Sequence, residues 1–333
     1  MDFAETEAQS ELAGLAKKIF TERISASRLA QTEATPDRFD ADLWADLAGA
    51  GVLAAALPEG LGGAGLGLLE QCSVLIEAGR SLAPVPYLFS AVLGAGAIAR
   101  FGTPEQQEKW AAPAGRGELI ITVALEEDAV PFAPLSKLIL VPAGGTVYLV
   151  EPDADGITVE RQEVTGGGSA GRVTVDPSRL DAQETLGDGA AEWLLATATV
   201  GLCAQQAGVT ARALELTAGY TRTREQFGKP IGAFQAVAQR LADAYVDVEA
   251  IRLTMWQAAW RLSEGLDAAA EIACAKFWAA DGGHRVAHTA VHLHGGVGID
   301  TEAETHRYFT AAKQCEFALG GATAQLLRIG ASL

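Results

Sequence analysis

One amphipathic pattern constrains the fold of this chain more than any other feature. Between residues 232 and 262, apolar side chains recur every three or four positions, which predicts a long helix with one buried face. The side chains on this face are Phe234, Val237, Leu241, Tyr245, Val248, Ile251 and Met255. An Ala-rich segment over about 266–293 predicts a second long helix, and two such helices suit a helical bundle.

The rest of the chain divides into a helical region and a short β-rich region. The helical patterns lie at 5–28, around Trp44, and at 66–80, 86–100 and 104–113. After Gly117, short β-rich runs alternate with Gly, Pro and Asp. These runs are 119–123, 138–141, 147–150, 157–159 and 173–175. We therefore predict a mainly helical α+β chain, with an N-terminal helical domain at 1–117, a small antiparallel β domain at 118–188 and a C-terminal helical bundle at 189–333.

The composition indicates a globular protein with a large core. With 333 residues, of which 49% are apolar, the chain can bury a large core in two or three sub-domains. Charged or polar residues interrupt every apolar stretch that could span a bilayer, and the acidic start has no secretory n-region. The four cysteines form no CxxC pair, so we interpret them as small buried apolar residues. A reducing cytoplasm is the expected location.

The charge distribution restricts the ligands. A net charge of −17 without a basic stripe argues against nucleic acid as a partner. Residues 118–190 hold 4 Lys/Arg against 13 Asp/Glu, whereas residues 200–333 hold 12 against 13. The middle segment should repel a polyanion such as coenzyme A, and the C-terminal region could accept one. For any single acidic residue, a solvated surface that aids solubility is the alternative interpretation.

Two motifs about 70 residues apart carry the chemistry of the C-terminal region. The first is Arg-Glu-Gln-Phe-Gly-Lys-Pro at 224–230 with Phe-Gln at 234–235, and the second is His-Leu-His-Gly-Gly-Val-Gly at 292–298. A pyrophosphate needs a cation with several hydrogen-bond donors, which Arg224 supplies, and backbone that no side chain covers, which glycine supplies. Taken singly, Arg224 could be a surface arginine beside Glu225, and the glycine pair could be an ordinary helix C-cap.

Together these motifs resemble the flavin-dinucleotide half-site of the acyl-CoA dehydrogenase family, and the resemblance covers nearly the whole chain. Two further segments are similar to the N-terminal region of that family; they are Leu57-Pro58-Glu59 with Gly62-Gly63, and Gly102-Thr103-Pro104-Glu105. The resemblance implies an N-terminal helical domain, a β domain and a C-terminal four-helix bundle that forms the subunit interface. It also implies FAD as the cofactor, with its pyrophosphate and adenosine end held across that interface.

The resemblance assigns nine residues of this chain to that end of a neighbouring subunit's FAD. They are Arg224, Gln226, Phe227, Phe234, Gln235, His292, Gly295, Gly296 and Gly298. His292 stands where the family usually has Gln, and it retains one hydrogen-bond donor. We therefore expect these residues to form one cofactor site.

The resemblance breaks where the family contacts the flavin ring. A Thr-Glu-x-x-x-Gly-Ser-Asp-like segment of the family corresponds here to Ala-Leu-Glu-Glu-Asp-Ala-Val-Pro at 124–131, which lacks the Gly-Ser-Asp element. The next strand of the family brings a Trp to the flavin, but this chain has none between Trp110 and Trp193. A redox flavin needs hydrogen-bond donors at its N1, O2 and N5 atoms. We expect that this chain does not supply them.

The catalytic base of the family is also missing. Removal of an α-proton requires a carboxylate in contact with the α-carbon of the thioester. Most family members keep this Glu in a C-terminal loop, where Gly320 stands here, and a minority keep it on the first helix of the bundle, where Ala198 stands. The fallback carboxylates are Glu192, which we interpret as an acid at a helix N-terminus, and Glu316. No catalytic residue is therefore assigned to this chain.

All five histidines lie between residues 284 and 306. His284, His288 and His292 share one helical face at a spacing that can bind a metal. No carboxylate or Cys completes a recognisable ligand set, and the cofactor motif already accounts for the segment. We therefore expect no metal, and we interpret these side chains as polar groups at an interface or beside the cofactor.

These observations favour a half-site subunit of a heteromeric acyl-CoA dehydrogenase. The partner would be a second acyl-CoA dehydrogenase subunit in an α2β2 heterotetramer, and it would supply the base, the flavin-ring site and most contacts to acyl-CoA. Among the enzymes that this chain resembles, such pairs act in bacterial β-oxidation on bulky thioesters, including steroid side chains.

Two other functions remain open. The first is a self-sufficient homomeric acyl-CoA dehydrogenase in which Glu316 or Glu192 is an unusual base. The second is a flavin-free scaffold subunit that only shapes or regulates a partner. Arg224 and the glycine pair at 295–296 argue against the scaffold, because a scaffold has no need of a pyrophosphate site.

Overall fold

The computed structural model describes residues 4–331, which form two compact units. The mixed unit, residues 5–74 and 84–198, contains helices and two β-sheets. The C-terminal unit, residues 75–83 and 199–331, is helical apart from one short hairpin. Two boundaries between the units, at 74–75 and 198–199, fall inside helices, and a third lies at 83–84.

The first part of the mixed unit is built from short helices. The α-helices are α1 (Glu7–Arg23), α2 (Ala26–Glu33), α3 (Ala41–Gly49), α4 (Leu68–Ser81), α5 (Gly96–Phe101), α6 (Pro104–Gln106) and α7 (Ala112–Gly115). Two π-helical stretches, Tyr87–Ala95 and Gln107–Ala111, and a 3-10 turn, Glu59–Leu61, complete this part. Thr103 closes a capping box with Gln106, which confirms the helix start predicted there. The pattern at 5–28 corresponds to two helices, because Ser25 caps a second one.

The loop after α3 depends on a glycine that has no room for a side chain. A Cβ atom at Gly63 would lie 1.9 Å from the backbone oxygen of Leu57 and 2.5 Å from that of Ala54. The Gly63 N–H also donates to Pro58 O at 3.1 Å, which closes the loop. This approach of backbone to backbone explains why glycine is needed at position 63 of the Gly-Gly pair.

We expect Gly63→Ala to lower the free energy of unfolding by about 3 kcal/mol, because backbone cannot move aside as a flexible side chain can. Chemical denaturation of the purified protein measures the change. Gly60→Ala is the matched control, since a Cβ atom at Gly60 would meet nothing within 4 Å. Equal stability of the two variants would contradict the close approach at Gly63.

Six strands form the two sheets of the mixed unit. They are β1 (Ile121–Val123), β2 (Val130–Pro131), β3 (Leu138–Ala143), β4 (Thr146–Val150), β5 (Ile157–Arg161) and β6 (Ala170–Val175), with 3-10 turns at Ala133–Leu135 and Pro177–Arg179. The order is β1-β3-β4 in one sheet and β2-β6-β5 in the other, and every pair is antiparallel except β1 with β3. Each of the five predicted β runs overlaps a strand, whereas the two-residue β2 is too short to show a pattern.

The region after the sheets consists of long helices and one hairpin. The helices are α8 (Ala190–Thr223), α9 (Gln235–Ser263), α10 (Ala269–His294), α11 (Thr305–Phe317) and α12 (Ala322–Ala331), and the hairpin strands are β7 (Glu225–Gln226) and β8 (Lys229–Pro230). Short 3-10 turns at Ile231–Ala233 and Gly295–Ile299 precede α9 and follow α10. Small buried residues such as Ala213, Ala287 and Ala312 let α8, α10 and α11 approach closely. The predicted fold class, mainly helical α+β with a C-terminal helical region, is confirmed.

Only the C-terminal part of α9 buries the face that its spacing predicts. Val248, Ile251 and Met255 are buried, as predicted. Tyr245 is 60% exposed, and no side chain of α9 before Ala244 is buried. The predicted burial is therefore wrong for the first part of the helix, because nothing within residues 4–331 covers it.

Two of the four cysteines are buried as predicted, whereas Cys274 and Cys315 are only partly buried. All four cysteines are free thiols, and Cys72 and Cys203 are fully buried. Burial raises the pKa of Cys203 to about 12, so this thiol stays neutral and behaves as a small apolar group.

In the part of the chain that the structure describes, no helix is both long and apolar enough to cross a membrane.

Candidate functional site

The two sequence motifs meet at one cleft of the C-terminal unit, with a volume of about 540 Å³. The cleft lies where α8 ends, the β7–β8 hairpin turns and α10 gives way to its 3-10 turn. Its lining residues are Tyr220, Arg224, Gln226, Ile231, His292, Leu293, His294, Gly295, Gly296, Val297 and Asp300. Five of the nine residues that the resemblance assigned to FAD are therefore brought together here; they are Arg224, Gln226, His292, Gly295 and Gly296.

Arg224 stands at the end of α8 with its guanidinium unpaired. Its backbone is fixed, because its N–H donates to Tyr220 O at 2.9 Å and its carbonyl accepts from Ile231 N at 2.8 Å. Within residues 4–331 its side chain makes no hydrogen bond or ion pair, so it is not neutralised by its neighbour Glu225. A guanidinium with open donors on a fixed backbone can bind phosphate oxygens without giving up an existing contact.

The glycine pair ends α10 with open backbone. Gly295 is the C-cap at φ +62° and ψ −140°, a conformation that favours glycine, and its N–H donates to His292 O. A Cβ atom at Gly295 or Gly296 would meet nothing within 4 Å, so a ligand can approach both residues. Gly298 has a different role, since its Cβ would lie 2.8 Å from Val291 O. It allows the turn to pack on α10 and does not line the cleft.

A stacked pair of rings forms another wall of the cleft. The Tyr220 phenol and the His294 imidazole have centroids 4.3 Å apart and planes at 24°. Tyr220 lies one helical turn before Arg224 on α8, and His294 directly precedes the glycine pair. Sequence reasoning missed Tyr220, and it placed His294 only among the histidines expected at an interface or beside the cofactor. The i, i+4 spacing to Arg224 was the only signal for Tyr220, and adjacency to Gly295 was the only one for His294.

Phe227, Phe234 and Gln235 were assigned to the cofactor, but they do not line this cleft. Phe227 is at the tip of the β7–β8 hairpin with φ +53°, and its side chain is 93% exposed. Its ring meets the ring of Phe234 edge-on at 6.2 Å. A left-handed backbone at a bulky residue and an exposed apolar ring both cost free energy, and such costs are typical of functional surfaces.

The two positions that the resemblance assigns to the family's base do not suit a carboxylate. Ala198 is fully buried within α8. Gly320 has φ +92°, and a Cβ atom there would lie 3.1 Å from Ala324 Cβ and 3.3 Å from Gln325 Nε2. An L-residue at position 320 would therefore be strained in this backbone. Glu192 is exposed in the first turn of α8, as expected for an acid at a helix N-terminus.

Glu316 belongs to a polar cluster on α10 and α11. Its carboxylate lies 2.6 Å from Lys313 Nζ and 3.2 Å from His284 Nδ1. The rings of His284 and His288 are 4.2 Å apart, and burial, followed by the charges of His284 and Lys313, lowers the pKa of His288. Because an ammonium and an imidazole already hold Glu316, its carboxylate is poorly suited to remove a proton from a substrate.

The histidines do not converge on a metal site. Within residues 4–331, no group of three or more His, Cys, Asp or Glu side chains is placed to hold a metal ion. His284 and His288 belong to the polar cluster, whereas His292 lines the cleft. His294 and His306 each place Nδ1 within hydrogen-bonding distance of a backbone carbonyl, at 2.8 and 2.6 Å.

The segment at 124–131, which the resemblance aligns with the flavin-ring segment of the family, forms hydrogen bonds with Arg172 and Gln162. Asp128 Oδ1 accepts from Arg172 Nε at 2.6 Å and from Gln162 Nε2 at 2.9 Å. The hydrogen bond from Arg172 lowers the pKa of the Asp128 carboxyl. Ala129 N donates to Gln162 Oε1 at 2.7 Å. These polar groups are therefore engaged inside the mixed unit.

Comparison with protein families matches both ends of the chain. The acyl-CoA dehydrogenase N-terminal domain matches residues 6–118, and the acyl-CoA dehydrogenase C-terminal domain matches residues 187–333. One relative, acyl-CoA dehydrogenase FadE27 of Mycobacterium tuberculosis, is 46% identical, with 100% of this chain and 99% of that protein covered. Another from the same organism, FadE28, is 34% identical over 86% of this chain and 91% of that protein.

Two solved structures are also similar to this chain over nearly its whole length. A chain of the ChsE4-ChsE5 complex from Mycobacterium tuberculosis superposes with a TM-score of 0.96 at 46% identity, with 100% of this chain and 98% of that chain covered. A variant of the Tcur3481-Tcur3483 steroid ACAD gives a TM-score of 0.93 at 40% identity, with coverage of 98% and 97%. The chain therefore belongs to the acyl-CoA dehydrogenase family, FAD-dependent oxidoreductases that act on CH–CH bonds.

Proposed function

We propose that this chain is a subunit of a heteromeric acyl-CoA dehydrogenase and supplies the adenosine and pyrophosphate half-site for FAD. The observation that carries the proposal is the cleft around the unpaired Arg224, in a chain with no carboxylate at position 198 or 320. A partner acyl-CoA dehydrogenase subunit supplies the base, the flavin-ring site and the main acyl-CoA contacts. The assembled pair introduces an α,β double bond into an acyl-CoA thioester.

The residues of the cleft fit this half of the cofactor. Arg224 offers several N–H donors to a pyrophosphate, and Gln226 and His292 place further polar atoms beside it. The open backbone at Gly295 and Gly296 lets phosphate oxygens approach closely. Bound FAD supplies the acceptor for the hydride that leaves the β-carbon. The task of this chain is to hold the far end of the cofactor and thereby fix its position.

Several features favour a partner over a self-sufficient enzyme. Glu316 is held by Lys313 and His284, and the polar groups of the segment at 124–131 are engaged with neighbouring strands. The acidic charge of residues 118–190 also disfavours coenzyme A on this subunit. Exposed apolar rings at Phe227 and Tyr245 are the kind of surface that a partner covers.

The relatives support the same proposal by analogy. ChsE4-ChsE5 is a complex, and Tcur3481-Tcur3483 is a steroid ACAD. We therefore propose a bulky, steroid-type acyl-CoA as the substrate class and an α2β2 heterotetramer as the assembly. The two family matches, 6–118 and 187–333, also support the division of the chain at 1–117, 118–188 and 189–333.

The proposal predicts the flavin content. This chain purified alone should hold little FAD, and its complex with the neighbouring acyl-CoA dehydrogenase gene product should hold about one FAD per two chains. The reason is that only one half of a site is present on this chain. Flavin absorbance per chain after gel filtration measures the ratio for each sample.

Two outcomes would contradict the proposal and favour one of the other functions. Near-stoichiometric FAD on a homomer of this chain would favour the self-sufficient enzyme with an unusual base. A complex that forms but gains no FAD beyond what the partner holds by itself would favour the flavin-free scaffold.

A further inference from the structure

The imidazole of His294 has one proton position fixed by the backbone. Its Nδ1 lies 2.8 Å from the carbonyl oxygen of Ala290, and a carbonyl oxygen only accepts hydrogen bonds. Nδ1 therefore carries a proton and donates it. In the neutral ring, the other nitrogen, Nε2, then presents a lone pair.

The Nε2 atom of this cleft-lining residue has no hydrogen-bond partner among residues 4–331. His294 is 8% exposed and lines the cleft, and no described residue forms a hydrogen bond with its Nε2. The side-chain polar atoms that are both sealed from solvent and unpaired among residues 4–331 are Ser169 Oγ, Thr197 Oγ1 and Gln206 Oε1. Since Nε2 is not one of them, a ligand in the cleft can reach it.

The ring is also held in place before any ligand binds. Tyr220 stacks on it at 4.3 Å, and the bond to the Ala290 carbonyl sets its rotation. A hydrogen bond formed by such a ring costs little side-chain entropy. Asp300 brings a carboxylate to the same cleft, so the lining offers acceptors as well as the donors of Arg224.

We infer that His294 Nε2 accepts a hydrogen bond from an O–H or N–H group of the adenosine part of FAD. The inference rests on the proposed half-site function. A lone pair repels the oxygens of a pyrophosphate, which carries no proton at neutral pH, so the group opposite Nε2 is a ribose hydroxyl or the adenine amine. His294 thereby recognises the nucleoside, while Arg224 binds the pyrophosphate.

Titration of the apo complex with FAD tests the inference without any activity assay. His294→Phe keeps a ring against Tyr220 but removes both nitrogens, and it should raise the FAD dissociation constant about five- to tenfold. His294→Gln can place its amide oxygen near the position of Nε2, so it should stay within about twofold of the wild type. Melting temperatures of the apo complexes confirm that each variant is folded.

Two FAD analogues identify the donor in the wild-type complex. One carries a carbonyl in place of the adenine amine, and the other lacks both the 2′- and the 3′-hydroxyl of the adenosine ribose. One of them should bind the wild type several-fold more weakly than FAD, and this difference should vanish in His294→Phe. Equal affinity of both analogues and FAD for the wild type would overturn the inference even if a variant fails to fold.

The failure of this inference can be told apart from failure of the proposed function. If Arg224→Ala weakens FAD binding and His294→Phe does not, the half-site stands and the role of His294 is wrong. If neither substitution changes the FAD dissociation constant, the cleft is not the cofactor site, and both ideas fall together.

Discussion

Arg224→Ala should weaken FAD binding by the assembled complex about 10- to 100-fold while leaving the fold intact. A hydrogen-bonded contact to a charged group contributes about 1.5–3 kcal/mol, and about 1.4 kcal/mol corresponds to tenfold in affinity. The fold should survive, because the Arg224 side chain makes no hydrogen bond or ion pair within residues 4–331. Flavin fluorescence during titration of the apo complex gives the dissociation constant, and thermal unfolding without FAD reports on the fold.

Arg222→Ala is the matched control for this experiment. Arg222 is an exposed arginine two residues earlier on α8, and it lines a separate cleft of about 550 Å³ with Ala218 and Leu241. Its removal changes the net charge by the same amount, so any long-range attraction of FAD falls equally. Arg224→Lys should bind with intermediate affinity, since an ammonium lacks the planar fork of donors. An equal effect of the two alanine substitutions would exclude a direct contact by Arg224.

Removal of the catalytic carboxylate that we propose for the partner should lower turnover about 10²- to 10⁴-fold, whereas Glu192→Gln and Glu316→Gln in this chain should leave it within a few-fold. Glu192 is exposed at the start of α8, and Glu316 is held by Lys313 Nζ at 2.6 Å. Glu316 is therefore already engaged, and Glu192 does not line the cleft. Reduction of an artificial electron acceptor by acyl-CoA, expressed per bound FAD, measures the turnover of each assembled variant.

The control for this prediction is the integrity of the complex. Glu316→Gln also removes an ion pair with Lys313, so its assembly and FAD content must be measured beside its turnover. A collapse of turnover in either Gln variant, with FAD content and assembly unchanged, would return the active site to this chain. A loss that follows the FAD content would instead report only on structure.

Much of the fold could be predicted because its signals are local. Thr103, Pro104 and Gln106 supply the capping residues of a helix within four positions, so the start of α6 is readable from the sequence. The β-rich runs likewise carry their turn residues beside them. β2 escaped prediction because two residues are too few to establish an alternating pattern. The burial of α9 was predicted for its whole length, but spacing cannot say which part of a face is covered.

The sequence by itself determined the family, the helical and β regions, and the residue types of the proposed pyrophosphate site. Motifs such as 224–230 and 292–298 encode this information within a few positions each. Only the tertiary structure decided which of those residues line the same cleft. It placed Arg224 and His292 in one cleft, left Phe227 outside it and added the stacked pair of Tyr220 and His294. The reason is physical: segments about 70 residues apart meet only through the packing of α8 against α10, and that packing depends on the whole helical core rather than on either motif.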